Sequence, residues 1–357
     1  MSLLTANVHS QQQQPTITLD INPNPKVSIS ISKSNAYNVS VNTDVTVQDS
    51  EPLKVKTFSK SFSLDKNDKV NLSNQYGSIT IKTWDKNEIK VDADIKAYAN
   101  NDEEAQKLLD DASINATKNG DLVSFKTIIN DHSSSGWGYW GSGNKNGKKW
   151  RREVKVYITV YMPSSNSLTV SQSYGNIMMD NFSGPTSLKV QYGNLTVGNL
   201  TNNNNYIVVG YGRAVAKDID QAKIKLQYGS GLTINSIGNL DLDAGYTNVN
   251  IAALNGNVTS KIEYGKLNIN EIGNACKSVD VKADYTSVNL GFNTNYNGEF
   301  NVATNYGGFK YGSNVTAKKQ DDGDRSYSSS KKYAGQIGKG GVAKISIITE
   351  YGSVTFK

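Results

Sequence analysis

The sequence predicts an all-β protein, a β-solenoid of the right-handed parallel β-helix type, with turns of about 18–21 residues and one short helix near residues 102–115. Three observations predict this fold: a tyrosine that recurs at a regular interval, apolar residues that alternate on both sides of it, and Gly-Asn turns between the copies. The recurring tyrosine also explains why 20 tyrosines accompany only 8 phenylalanines in 357 residues.

The tyrosines of the repeat lie 17 to 21 residues apart, and most of them precede a glycine. They are Tyr174, Tyr192, Tyr211, Tyr228, Tyr246, Tyr264, Tyr285 and Tyr306. Tyr76 and Tyr351 carry the same signature near the two ends of the region. Apolar residues occupy every second position around each tyrosine, as Leu195 and Val197 do after Tyr192, which is typical of strands with one buried face.

Each copy therefore reads as a strand, a tight turn at Tyr-Gly, a second strand and a second turn. The alternation changes phase at the glycine, which predicts a positive φ there. Gly238-Asn239 and Gly256-Asn257 favour the left-handed conformation at the second turn. Because a two-stranded unit cannot bury its apolar face alone, the copies are expected to stack and to align their tyrosines in one column.

The tyrosine column is assigned a structural role. Aromatic side chains in register on neighbouring strands contribute about 0.5–1 kcal/mol per pair. The alternative is an exposed aromatic platform on which sugar rings stack. The regular placement of the tyrosines within the repeat favours the structural role.

Residues 55–357 are predicted to form a single domain, with loop inserts at 131–152 and 314–341. Residues 15–54 are a polar leader or extra edge strands. Residues 1–14 resemble the tail of a secretory signal peptide, because Val8-x-Ser10 looks like a signal-peptidase site before a run of glutamines. An ordinary disordered N-terminus is the alternative for this segment.

The helix is predicted from its capping pattern and its apolar stripe. Asn101 or Asp102 caps it, acidic residues fill its first turn, and Ala105, Leu108 and Leu109 lie on one face. We expect it to cover an open end of the stack, because exposed strand edges invite aggregation.

The composition excludes several function classes. One cysteine excludes an intrachain disulfide and a Cys-rich metal site, and two histidines argue against a multi-histidine metal centre or Ser-His-Asp chemistry. No run of about 18 apolar residues is present, so no transmembrane helix is predicted. A formal net charge of +6 is mild for this length. We therefore expect no cofactor, no metal and no nucleic-acid partner.

One loop is a candidate ligand-binding site. It contains Trp137, Tyr139, Trp140 and Trp150, together with Lys145, Lys148, Lys149, Arg151 and Arg152. Aromatic and cationic side chains in one loop could bind a sugar, a lipid surface or a polyanion. The alternative is an insert that packs partly on the domain.

An acidic pair is the weaker candidate for a catalytic site. Asp241 and Asp243 lie two residues apart on one predicted face, and glycoside hydrolysis uses paired carboxylates. Asp243 is expected to lie between Lys225 and Lys261 of neighbouring copies, which favours a surface ladder of ion pairs.

Three segments resemble one family. Phe62 to Val91, Val156 to Pro163 with Tyr174-Gly175, and the closing Tyr351-Gly352 pair resemble the putative-adhesin β-strand-repeat family of Bacteroidetes envelope proteins. The resemblance covers residues 55–357. It implies a β-solenoid in the cell envelope, and it supplies no catalytic motif.

The first functional hypothesis is a non-enzymatic, exported protein of the periplasm, outer-membrane surface or extracellular space. It would bind a surface glycan or an envelope component, as an adhesin does. The alternatives are a purely structural or self-associating envelope protein and, third, a carbohydrate-active enzyme.

Overall fold

The computed structural model describes residues 16–19, 27–34, 36–42, 53–130, 141–145, 148–320 and 329–357. It divides the chain into two units, Met1–Glu51 and Pro52–Lys357. The first unit contains β1 (Thr16–Leu19), β2 (Val27–Ser34) and β3 (Ala36–Asn42). The three strands are antiparallel, and β2 lies between β1 and β3.

The second unit holds the repeat. Its first part contains β4 (Lys54–Ser63), β5 (Lys69–Thr83), β6 (Glu88–Tyr98), α1 (Asp102–Asp110), β7 (Ala112–Asn119), β8 (Leu122–Ile129), β9 (Gly141–Lys145) and β10 (Lys148–Met162). The repeat continues with β11 (Ser167–Met179), β12 (Thr186–Gln191), β13 (Leu195–Val197), β14 (Asn205–Gly210), β15 (Arg213–Gln227), β16 (Gly231–Gly245), β17 (Asn248–Leu254), β18 (Val258–Ile272), β19 (Ser278–Phe292), β20 (Gly298–Asn305) and β21 (Gly308–Tyr311). The last strands are β22 (Val315–Gln320), β23 (Ser330–Ile337), β24 (Ala343–Glu350) and β25 (Ser353–Phe356).

Successive copies of the repeat pair in parallel and in register. Lys225 of β15 lies opposite Asp243 of β16, and Asp243 lies opposite Lys261 of β18. The alternate residues point inward and form one apolar core, to which Leu195 and Val197 belong. The strand period of two explains this sorting, because every second side chain of a strand faces the same side.

The prediction of an all-β protein is confirmed, but the prediction of a right-handed β-solenoid is wrong. The strands from β4 to β25 are hydrogen-bonded into one closed, barrel-like sheet with many outer strands. The repeat predicts only which residues of neighbouring copies face each other. Closure depends on strands outside the repeat pattern, among them β4, β6 and β10, which pair antiparallel with one another through β6.

The order of the strands in space differs from their order in the chain near the carboxyl end. β24 pairs in parallel with β19 on one side and with β20 on the other. Ile345 consequently lies opposite both Val279 and Phe300, and all three are buried. The closing copy of the repeat is thus inserted between two copies that precede it.

The helix begins at Asp102, as the sequence predicts, but it ends at Asp110 and not near residue 115. Asn101 caps it, because its side chain accepts a hydrogen bond from the Glu104 backbone N–H at 2.8 Å. Ala112 already belongs to β7 and pairs antiparallel with Ile129. The Lys56 ammonium donates to the Ala112 carbonyl at 3.1 Å, which stabilises this helix-to-strand junction. The helix packs on β4, β6, β7 and β10.

Candidate functional site

The structure places the predicted tyrosines in one continuous column. Neighbouring ring centroids lie 4.6 to 5.3 Å apart, and the ring planes differ by 2 to 16°. In spatial order the rings are Tyr76, Tyr174, Tyr192, Tyr211, Tyr228, Tyr246, Tyr264, Tyr285, Tyr351 and Tyr306. Tyr351 lies between Tyr285 and Tyr306 because β24 is inserted between β19 and β20.

The stacking determines what the column offers to a ligand. Each inner ring, such as Tyr246, is about half exposed (49%), although neighbouring rings cover both of its faces. The exposed surface therefore consists of ring edges and phenol hydroxyls. A sugar ring stacks on an open aromatic face, so the inner tyrosines do not form the platform considered above.

The backbone at the turn differs from the sequence-based prediction. Eight of the tyrosines, not the glycines after them, have positive φ, between 50 and 55°. Only at Gly77 and Gly175 does the glycine take the positive φ (111 and 142°) instead of the tyrosine. Elsewhere the glycine allows close approach of backbones: a Cβ on Gly193 would lie 1.9 Å from the Gly175 carbonyl oxygen. Left-handed φ is costly for a bulky residue, so eight of the ten tyrosines in the column are held in strained conformations.

Two phenols of the column, those of Tyr246 and Tyr285, resist ionisation. Burial raises the pKa of Tyr246 and of Tyr285, and neighbouring tyrosines and acidic residues add to the shift. In the unfolded chain these phenols ionise at their ordinary pKa near 10. As the pH rises through 10, the unfolded state releases protons before the folded state does, so the free energy of unfolding falls.

We therefore expect the protein to lose stability at alkaline pH through Tyr246 and Tyr285. The expected result is a lower midpoint of urea unfolding at a pH above 10 than at pH 8, with a tyrosinate absorbance that rises together with unfolding. Replacing Tyr246 and Tyr285 by phenylalanine keeps the rings and removes the hydroxyls, so it should reduce this loss. An unchanged loss in that double variant would contradict the assignment.

Of the predicted aromatic loop, Trp137, Tyr139 and Trp140 lie outside the described residues. Trp150 is in β10, half buried, opposite Gly143 of β9. A Cβ on Gly143 would lie 2.8 Å from the Trp150 indole nitrogen, so the indole packs directly on the β9 backbone.

Two of the cations beside these aromatic residues have protein partners. The Arg151 guanidinium carbon lies 3.3 Å from the ring centroid of Tyr98. Arg152 Nε lies 3.0 Å from Glu104 Oε1 of the helix. These contacts favour the alternative in which this end of the insert packs on the domain.

The acidic pair lies on the outer face of β16, within a pattern of ion pairs. Lys223 Nζ lies 2.8 Å from Asp241 Oδ2, and this hydrogen bond raises the pKa of the lysine. Asp243 has Lys225 and Lys261 opposite it on the neighbouring strands, and Lys261 Nζ lies 2.9 Å from Glu263 Oε1. The two aspartates thus face lysines, which is the arrangement of a surface ladder.

A feature that the sequence interpretation missed is a polar groove beside Asp241. Its first wall is the amide column, formed by residues seven positions before the recurring tyrosine: Asn204, Gln221, Asn239 and Asn257. Lys223, Asp241 and Thr259 line the groove two residues further along each strand. The cavity has a volume of about 330 Å³.

The signal for this groove was present in the sequence. The sequence predicts left-handed turns at Gly238-Asn239 and Gly256-Asn257, but none of the four residues has positive φ. Gly238 instead allows close approach, since a Cβ there would lie 2.1 Å from the Asp220 carbonyl oxygen. The asparagines are thereby free to serve as surface amides at equivalent repeat positions.

In the part of the chain that the structure describes, no group of three or more His, Cys, Asp and Glu side chains is placed to hold a metal ion. No helix within it is long and apolar enough to cross a membrane. Cys276 is buried, and burial raises the pKa of its thiol.

No protein-family model and no curated protein matches the chain. Solved structures resemble it at low identity. A putative adhesin from Parabacteroides distasonis is 10% identical, with a TM-score of 0.39 and 85% of this chain and 97% of that chain covered. A putative adhesin from Bacteroides fragilis is 11% identical (TM-score 0.34, coverage 85% and 97%), and one from Parabacteroides merdae is 9% identical (TM-score 0.33, coverage 85% and 96%). These names agree with the resemblance noted in the sequence, but values this low do not place the chain in a family.

Proposed function

We propose that this protein is a non-enzymatic, exported binding protein of the adhesin type, which attaches to a surface glycan or another envelope component. The observation that carries the proposal is the outer face of the repeat region, where side chains of equivalent position lie next to one another at the spacing of paired strands, about 4.8 Å. Lys225, Asp243 and Lys261 form one such row. A surface whose groups repeat at a fixed spacing suits a polymer whose own units repeat.

The non-enzymatic part of the proposal rests on how the outward carboxylates are partnered. Asp241 forms an ion pair with Lys223, and Glu263 forms one with Lys261. A general acid needs a carboxyl group whose pKa is raised by burial or by a neighbouring carboxylate. Export is proposed from the likeness of residues 1–14 to a signal-peptide tail, which also suggests the envelope as the setting.

A binding and turnover assay tests the proposal. The purified full chain is mixed with isolated bacterial envelope fractions, and retained protein and newly released reducing ends are both measured. We expect saturable retention and no release of reducing ends. The Asp243→Asn variant should likewise release no reducing ends, because Asp243 is assigned to the ladder and not to catalysis.

Two outcomes would overturn the proposal. Absence of retention on every fraction would contradict a binding role. Release of reducing ends that disappears in Asp243→Asn would show an enzyme. A Trp150→Ala variant, measured alongside, reports whether the aromatic loop contributes: the packing of its indole on β9 predicts retention close to that of the parent protein.

A further inference from the structure

The groove beside the amide column is built from two parallel rows of side chains. The first row is the amide column itself, whose members are all exposed. The second row lies two residues further along the chain in each copy and lines the cavity with Lys223, Asp241 and Thr259. Tyr206 precedes Lys223 at the end of this row, next to the cavity lining but not part of it. Backbone pairing holds this row in register, since Tyr206 lies opposite Lys223 and Lys223 opposite Asp241.

The amide column contains side-chain amide groups that form no hydrogen bond within the described parts of the chain. Asn239 Oδ1 accepts from the Asn257 backbone N–H at 2.9 Å, and Asn257 Oδ1 accepts from the Ser278 backbone N–H at 2.9 Å. Their amide NH₂ groups, and the whole side-chain amides of Asn204 and Gln221, make no hydrogen bond within the described parts of the chain. An amide both donates and accepts, so this row matches vicinal hydroxyl groups.

Tyr206 differs from the tyrosines of the column. It is half buried on the outer face of β14, and among the described residues no other ring stacks on it. An aromatic side chain without a stacked neighbour next to a row of amides is able to pack against the C–H face of a sugar ring. The cavity of about 330 Å³ is within the range of small-ligand sites.

The charges at the groove select among sugars. Lys223 and Asp241 neutralise each other at 2.8 Å, so the groove presents no unpaired cation from this pair to a carboxylate. A uronic acid would find Asp241 repulsive and Lys223 already engaged. A neutral sugar meets no such cost.

We propose that this groove binds neutral sugar units of a glycan, with the amide column and Asp241 contacting hydroxyl groups and Tyr206 contacting the ring. This inference rests on the proposed function and specifies its ligand class. The four copies that form the groove follow one another at about 4.8 Å, so the site extends over more than one sugar unit.

The test uses fluorescently labelled tetramers of glucose, mannose and N-acetylglucosamine, with a tetramer of glucuronic acid as the charged comparison. Binding to the full chain is followed by fluorescence anisotropy. We expect at least one neutral tetramer to bind with a Kd in the millimolar range or below and the glucuronic acid tetramer to bind more weakly.

The variant Asn204→Ala/Gln221→Ala removes two amides that have no described protein partner, so it should leave folding intact and raise the Kd about tenfold. The matched control is Asn248→Ala/Asn250→Ala, which removes two exposed amides of β17, outside the groove. The control should bind like the parent protein.

The possible results distinguish an error in the groove assignment from an error in the proposed binding function. If a neutral tetramer binds but Asn204→Ala/Gln221→Ala leaves its Kd unchanged, the groove assignment is wrong. If no neutral tetramer binds, or the acidic one binds best, the ligand class is wrong, although retention on envelope fractions would still support a binding protein. If the parent protein is not retained on any envelope fraction, both the proposed function and the groove assignment are contradicted.

Discussion

Replacing Gly175 by alanine is expected to lower the free energy of unfolding by about 3 kcal/mol or more, which is among the large single-residue effects. Gly175 has a φ of 142°, a conformation that an L side chain rarely adopts. A Cβ at this position would also lie 1.6 Å from the Gly77 carbonyl oxygen. Because that oxygen belongs to a paired strand, the clash can be relieved only by separating β5 from β11. Urea unfolding followed by circular dichroism measures the change.

The matched control for this prediction is Gly308→Ala. A Cβ on Gly308 would meet nothing within 4 Å, and its φ is not positive. We expect a change within about 0.5 kcal/mol, as for an ordinary surface substitution. If Gly175→Ala were as harmless as Gly308→Ala, the backbones of β5 and β11 could not be as close as the structure shows.

Replacing Tyr246 by alanine is the second large effect, with an expected loss of about 2 kcal/mol. The ring stacks on Tyr228 at 4.9 Å and on Tyr264 at 4.6 Å, and each aromatic pair contributes about 0.5–1.5 kcal/mol beyond the area that it buries. Alanine removes both pairs and keeps the positive φ of 54° with its strain. The loss is read from the midpoint of urea unfolding.

Two further variants separate stacking from strain. Tyr246→Gly also removes both pairs but relieves the left-handed strain, so it should cost about 1 kcal/mol less than Tyr246→Ala. Tyr306→Ala removes a ring that stacks on one described tyrosine, Tyr351, so it should cost about half as much as Tyr246→Ala. Equal losses for Tyr246→Ala and Tyr306→Ala would contradict a role of the column in stability.

Parts of the fold follow directly from the sequence. The alternation that places Leu195 and Val197 in the core is a consequence of strand geometry, which repeats every two residues. The helix start at Asn101 follows from side-chain chemistry, because an asparagine before acidic residues is a strong cap. Both signals are local, so neighbouring residues alone are sufficient to predict them.

Closure of the strand order and the place of β24 depend on long-range pairing. Residues 343–350 carry the same repeat as the strands beside them, so their sequence alone does not predict that they pair between β19 and β20. The site was partly hidden for a related reason. The sequence predicts Asn239 and Asn257 as turn residues, because a glycine before an asparagine predicts a left-handed turn more strongly than it predicts an exposed amide.

The insertion of β24 has a consequence for how the chain folds during synthesis. β19 and β20 cannot acquire their final neighbours until residues 343–350 have been synthesised, so until then each of these two strands has one edge of backbone N–H and C=O groups without its native partner. Pairing β19 with β20 directly would be a competing arrangement, because both carry the same repeat. A chain cut before residue 343 should therefore pair β19 directly with β20 or be captured by a chaperone. The carboxyl-terminal strands thus determine which strands are neighbours in the native fold.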